Sequence, residues 1–364
     1  MTWNAESKFF LAEDQFFIIQ DDHLISWNYR THKQYKIHID CLPFLLKRRP
    51  VDLTNNMARE LIAAGIVTLG QSAPPPKWGW DLLSKIFHFG TSRSPSDQAY
   101  RSPEEMSLEY VAHCGDLLPS MPDTAFQTQR GSESVPLSKY ESLKNCDLSK
   151  LFEDRNTTRR FSGENLTYSD ISMILDETFR YRSHNLDAYD KMGMFTPTKR
   201  RASPSGGSLQ SCEAYLIARK VSGLDAGTYH YRSHARELGR IARIDETFSF
   251  GEMLGGQMFA DDLSAAIVIS SRFDKLMWKY TQSRSYRVAL MDAGHLSQNL
   301  QLIATQLNVR TWPTAAFFDD QMSDFLQLHA QENEYPLLVI GLGTGPKDPF
   351  DRDLGDGFVL ERNE

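Results

Sequence analysis

Five clusters in the chain combine residue types and spacings that could do chemistry. Lys279 and Tyr280 are adjacent. A lysine acts as a base where burial or a neighbouring cation lowers its pKa, and a tyrosine can donate or relay a proton. The dipeptide is common, so taken alone an incidental pair is the stronger reading. Arg155–Phe161 reads Arg-Asn-Thr-Thr-Arg-Arg-Phe. Arginine gives bidentate charged hydrogen bonds and threonine a short neutral donor, which together suit a phosphate. A solvated basic loop is the alternative, and the local pattern by itself favours it. Ser203–Gln210 reads Ser-Pro-Ser-Gly-Gly-Ser-Leu-Gln, where glycines let backbone approach a flat ligand and hydroxyls meet its polar edge; a tight loop entering a strand is the alternative. Asp292–Asn299 sets Asp292, Gly294, His295, Gln298 and Asn299 into an otherwise apolar helix. Gly294 costs roughly 1 kcal/mol there relative to alanine, which points to close packing against a cofactor or another helix. The bland reading of His295 is a hydrogen-bonded core histidine, and no Glu or His at ligand spacing completes a metal site. Trp312–Phe317, with Pro313, Thr314, Ala315 and Ala316, puts small residues where backbone could lie against something flat, or simply turn from helix to strand.

The elements that must position these clusters are read from periodicity. Thr167 caps a helix running to Arg180, with Asp170 suited to its positive end. Glu213–Val221, Gly227–Arg232 and Glu237–Ile244 are strand candidates. Ser264–Ser271 is a continuous apolar run, the mark of a buried central strand, and Tyr335–Gly343 is a late core strand. Tyr286–Leu307 is a long helix, apolar on most sides, which must be buried in a core or between subunits. Upstream, Gln15–Gln20, His23–Tyr29 and Lys33–Asp40 are strand-like. Leu42–Lys47 and Asn56–Ala64 are helical, and Gly65 is a helix stop. The expected domains are a small N-terminal module over 1–90, winged-helix-like or a plain appendage, a Ser/Pro-rich linker over 91–147, and a compact region over 148–364.

At 364 residues the chain is long enough for one large or two moderate domains. Its net charge of −7 argues against a dedicated nucleic-acid binder, which needs basic surface to displace counterions. The four cysteines, Cys41, Cys114, Cys146 and Cys212, have neither metal-ligand nor redox spacing and read as reduced thiols of a cytoplasmic protein. No signal peptide and no membrane-spanning apolar run is seen.

The order of the clusters is more informative than any one of them. Arg-x-Thr-x-Arg-x-Phe is followed by Pro-Ser-Gly-Gly-Ser-Leu, Gly-Thr-Tyr-His-Tyr, Lys-Tyr, Ala-Gly-His-x-x-Gln-Asn and Pro-Thr-Ala-Ala-Phe. This succession, over roughly 150–345, resembles the SagB-type dehydrogenases, the flavin-dependent azoline oxidases within the nitroreductase-like superfamily. Leu24–Tyr29, Trp78–Trp80 and Phe87–Thr91 are similar to that family's N-terminal part.

The resemblance implies an α+β fold: a mixed sheet flanked by helices, an intertwined homodimer, and FMN at the subunit interface. It implies catalytic roles for Lys279 and Tyr280. Arg155 and Thr157 would hold the flavin phosphate or ribityl chain, with Asn156 beside them, and Arg159 would lie near the pyrimidine edge. Pro204, Ser205, Gly206 and Ser208 would line the flavin from the partner subunit, and Gln298 joins the cofactor set. Pro313, Thr314, Ala315 and Ala316 would pass near the ring's reactive nitrogen, and Lys347 or Arg352 would complete the phosphate site. The activity implied is oxidation of thiazoline or oxazoline rings in a modified precursor peptide, with cyclodehydratase proteins as further partners and no nucleic acid or membrane. Two rival readings are an NAD(P)H-fed reductase of dehydroamino acids and a flavin-bearing scaffold subunit. The chain departs from the family pattern twice. Arg-Asn-Thr-Thr replaces the usual Arg-Arg-Ser-x, which keeps the chemistry, and Ser208-Leu-Gln-Ser replaces the usual Ala-Leu-Tyr-Pro, which removes an aromatic near the flavin.

Overall fold

The computed structural model describes residues 10–21, 23–47, 56–69, 78–92, 102–122, 126–143, 146–182, 199–328 and 333–346. The chain divides into two compact units, Met1–Tyr100 and Arg101–Glu364.

In the first unit, β1 (Phe10–Leu11) precedes β2 (Gln15–Gln20), β3 (His23–Asn28) and β4 (Gln34–Ile37). The last three pair as an antiparallel meander. Then come α1 (Leu42–Lys47), α2 (Asn56–Ala63), β5 (Val67–Thr68), which pairs with β1, and α3 (Leu82–Gly90). Gly65 ends α2 by taking φ +69°, a conformation only glycine adopts at no steric cost. Leu24, Ile37, Ala58, Leu61, Ile66 and Val67 form the small core. The three strand-like runs and two helical runs expected here are all present.

The second unit opens with α4 (Pro103–Leu117) and β6 (Glu133–Pro136), both inside the stretch whose Ser/Pro content suggested a linker. Ser102 and Glu105 close a reciprocal capping box on α4, with Pro103 in the first turn. Next are α5 (Leu148–Asp154), β7 (Leu166–Thr167), α6 (Tyr168–Phe179), β8 (Cys212–Ala218), β9 (Val221–Ser222), β10 (Gly227–Arg232) and β11 (Glu237–Arg243). The chain continues through α7 (Phe250–Met253), β12 (Ala265–Arg272), α8 (Phe273–Lys279), α9 (Ser285–Gln306), β13 (Arg310–Thr314), α10 (Asp319–Phe325) and β14 (Glu334–Gly343).

Among the described residues seven strands form one sheet in the order β13-β14-β12-β8-β10-β11-β6. Its strand ladders are antiparallel, and Thr157 adds a parallel bridge to Thr311 on edge strand β13. The expected α+β class and mixed sheet flanked by helices are borne out. β8 and β12 are buried along their whole length because both sheet faces are covered. On one face α6 and α9 pack Ile171, Ile174, Phe179, Leu296 and Leu300 against Leu216 and Ile267. On the other, Phe250, Leu254, Trp312 and Met322 cover Tyr215, Ile217 and Val268. Helix α9 buries one stripe, while Tyr286, Leu290 and Met291 on it are exposed, so less of it lies in the core than its composition suggested.

One end of the sheet buries charge. Glu213 accepts from Lys275 Nζ at 2.8 Å and from Thr128 Oγ1 at 2.9 Å, and His230 Nε2 stands 3.5 Å away. Glu334 accepts from Tyr215, Ser270 and Arg130. Burial alone would raise the Glu213 pKa, but Lys275 and then His230 overcome it and hold the carboxylate well below its ordinary range. Thr128 and Arg130 come from the segment leading into β6, so that segment closes the charge network as well as the sheet edge.

Candidate active site

The chain brings three of the five clusters to one place. Lys279 ends α8 and Tyr280 is the residue that caps it. Lys279 is buried at 6% exposure, and its Nζ donates to Tyr110 Oη at 2.7 Å and to the Gly207 carbonyl at 3.3 Å. The Pro-Ser-Gly-Gly-Ser loop therefore lies against the Lys-Tyr pair. Gly207 takes φ +59°, and a Cβ there would stand 2.5 Å from Tyr280 Oη and 3.1 Å from Lys279 Nζ. The missing side chain leaves room for both polar tips beside the loop.

Helix α9 holds the loop. Asp292 accepts from Ser205 Oγ at 2.7 Å and from the Gly206 N–H at 3.2 Å, and Ser205 Oγ accepts from the Gln210 N–H at 3.0 Å. Asn299 donates to Ser203 Oγ at 2.8 Å. A Cβ at Gly206 would meet Val288 Cγ1 at 2.2 Å, so only glycine lets the loop come this close to the helix. Burial raises the Asp292 pKa, and the Ser205 and Gly206 hydrogen bonds offset part of that rise. Burial likewise raises the Tyr280 hydroxyl, with Lys279 opposing, which keeps the phenol neutral at physiological pH.

The other two clusters meet at the sheet edge. Arg155 follows α5 and donates to Thr157 Oγ1 at 3.4 Å. Thr157 bridges Thr311, and the buried Thr158 donates its N–H to the Thr311 carbonyl at 3.1 Å. This fastens the Arg-Asn-Thr-Thr-Arg run to β13, whose end carries Pro313 and Thr314 and leads into Ala315 and Ala316. Arg155, Asn156 and Thr157 are half-buried, Arg159 is exposed, Pro313 and Thr314 are half-buried, and Ala315 and Ala316 are exposed. In the loop, Pro204 is exposed, while Ser205, Gly206 and Ser208 are half-buried. Gln298 is exposed on α9, as is His295, which is not the core histidine its helix suggested. A Cβ at Gly294 would touch nothing within 4 Å among the described residues, so no close packing against them explains that glycine. Lys347 and Arg352 lie outside the described residues.

The model of the nitroreductase family matches residues 152–344, just over half of the chain. The chain belongs to the nitroreductase family. The microcin B17-processing protein McbC of Escherichia coli is 26% identical over 258 residues, which cover 66% of this chain and 90% of McbC. The trifolitoxin-processing protein TfxB of Rhizobium leguminosarum bv. trifolii is 27% identical over 169 residues, 45% of this chain and 40% of TfxB. A crystal structure from Anabaena variabilis, described as a nitroreductase, aligns with TM-score 0.50 at 25% identity, covering 82% of this chain and 54% of that one. The chain thus spans about half the length of the Anabaena protein it matches. The resemblance read from the ordered motifs is borne out in these relatives.

Three residues of this candidate site escaped the sequence reading of its roles: Tyr110, Gly207 and Asp292. Asp292 carried a usable signal, since a carboxylate on the apolar stripe of a helix must find donors. Gly207 could have been read from its position between two motif residues. Replacing Gly207 with alanine should strain the loop by about 1–2 kcal/mol and push Tyr280 and Lys279 apart. A misplacement of about 1 Å costs on the order of 10²-fold in turnover. Unchanged turnover, with the substitution verified, would mean that the loop does not position the pair.

Proposed function

We propose that the chain is an FMN-dependent oxidase that converts thiazoline or oxazoline rings of a ribosomally made peptide into thiazole or oxazole. The observation that carries this reading is the buried Lys279 amine beside Tyr280, with Gly207 leaving the space between them open. Two relatives named as processing proteins of microcin B17 and trifolitoxin support a peptide substrate.

The donor set suits FMN. Arg155, Thr157 and Arg159 offer guanidinium and hydroxyl donors for a phosphate and for a negative pyrimidine edge, with Asn156 beside them. Ala315 and Ala316 present backbone free of bulky side chains, and the Gly206–Gly207 loop gives a second close approach. When bound, FMN would supply the two-electron acceptor for the ring's β-hydrogen. The chain's own residues do the rest. The Lys279 amine takes the acidic α-proton of the azoline, and the neutral Tyr280 hydroxyl across the Gly207 gap orients the ring. Asp292 and Asn299 fix the loop that borders both. The exposed Tyr286, Leu290 and Met291 on α9 support an intertwined homodimer in which Pro204, Ser205, Gly206 and Ser208 face the partner's flavin, with Gln298 on the same helix. Lys347 or Arg352 would complete the phosphate site. We also propose a winged-helix-like N-terminal module, a cytoplasmic setting and cyclodehydratase partners. Among the described residues no helix is long and apolar enough to cross a membrane.

An anaerobic titration followed by flavin absorbance tests the reading. Bleaching by an azoline-bearing peptide alone is the expected result. Bleaching by NADPH alone would make the protein a reductase, and purified protein without flavin would overturn the proposal.

A further inference from the structure

Lys279 must lose the proton it collects before it can act again, yet the residue is only 6% exposed. Its Nζ has two hydrogen-bond partners among the described residues. The Gly207 carbonyl accepts but has no proton of its own to hand on, so it ends the chain. The Tyr110 hydroxyl both accepts and donates. It lies 2.7 Å from Nζ, the ammonium sits 4.8 Å from the Tyr110 ring centre, and Tyr110 is 44% exposed. The titratable groups around this point are Tyr110 and Cys114 on α4, Tyr280 after α8 and Asp292 on α9. Helix α4 is held in place independently of Tyr110, because Trp278 Nε1 donates to the Leu117 carbonyl at 3.0 Å.

We propose that Tyr110 is the proton exit of Lys279, linking the buried amine to bulk water. The Lys279 ammonium gives a proton to Tyr110 Oη as the Tyr110 O–H proton leaves to water. The amine is then neutral, the phenol is restored, and one proton has reached solvent. Burial and then Cys114 push the Tyr110 pKa up to about 12, so the hydroxyl keeps its proton between turnovers and serves as a relay rather than a standing anion. The inference rests on reading Lys279 as the base. It also places a positioning residue outside the stretch matched by the family model.

The test is Tyr110→Phe in the full chain, which keeps the ring and removes only the relaying oxygen. Two readouts separate this inference from the proposed function. The first needs no substrate: exchange of the Lys279 ammonium protons with water, followed by nitrogen-15 NMR of lysine-labelled protein and assigned with Lys279→Arg. A relay predicts that Tyr110→Phe slows exchange about tenfold or more, because the phenyl ring still excludes water and the path is gone. A mere tether predicts faster exchange, since a hydrogen bond has been lost, and that result overturns the proposal. The second readout is azoline oxidation with flavin loading checked. Turnover should fall about 10–100-fold while flavin loading stays unchanged. Loss of flavin together with turnover, or no loss of turnover at all, overturns the relay. Should the wild-type protein fail to oxidise azolines, the proposed function falls while the exchange measurement still decides the role of Tyr110.

Discussion

Lys279→Ala is expected to leave the protein folded and flavin-loaded while abolishing azoline oxidation, a loss of about 10²–10⁴-fold from the general-base contribution. The physical reason is local. The side chain is buried and its amine lies beside Gly207, where the proposed base would meet the azoline. Most residues proposed to hold the flavin sit on other elements, namely the run after α5 and the end of β13, and the Ser203–Ser208 loop keeps its hydrogen bonds to Asp292 and Asn299 when Lys279 is truncated. The check is twofold: flavin absorbance per polypeptide, and single-turnover bleaching by the peptide. Loss of flavin together with activity would make Lys279 a structural residue. Retention of activity would remove it from the mechanism and leave the scaffold reading standing.

Glu213→Ala should cost about 3–5 kcal/mol of stability, because it strands the Lys275 ammonium without its counter-charge in a site that is 1% exposed. Denaturant melts read this directly. The double replacement Glu213→Ala with Lys275→Met should lose much less, since the desolvation cost disappears with the charge. The same pair sets an acid limit. The folded-state pKa of Glu213 is depressed, so its stabilisation is fully present above the ordinary glutamate pKa of about 4.3 and drains away as pH falls toward the folded value. Wild-type melts should therefore fall more steeply below about pH 4.3 than those of the double variant. Equal slopes would place the acid sensitivity elsewhere.

The core of the fold was legible wherever burial on both faces leaves a continuous apolar run. Ser264–Ser271 and Tyr335–Gly343 became β12 and β14 within a residue or two, and the Thr167 cap opens α6 as read. The binding clusters were legible as chemistry but not as geometry. Nothing local says that Arg155–Thr157 would lie on β13, since that contact spans more than 150 residues and depends on the edge of a finished sheet. Helix α4 was hidden for a different reason. Its apolar residues do not gather on one face, so the periodicity that reveals an amphipathic helix is weak, and its best signal was the Ser102-Pro-Glu-Glu105 cap. Tyr110, 169 positions before Lys279, was beyond reach of any pattern along the chain.

Strand β6 and the residues leading into it have a consequence for recombining this protein with its relatives. Thr128 and Arg130 complete the partners of Glu213 and Glu334, although both precede residue 152, where the family match begins. A chimera joined at that point would inherit a sheet edge and two buried carboxylates adapted to a different upstream segment. A crossover near residue 101, between the two compact units, moves the whole electrostatic neighbourhood together, so the inheritable module is longer than the family's own signature.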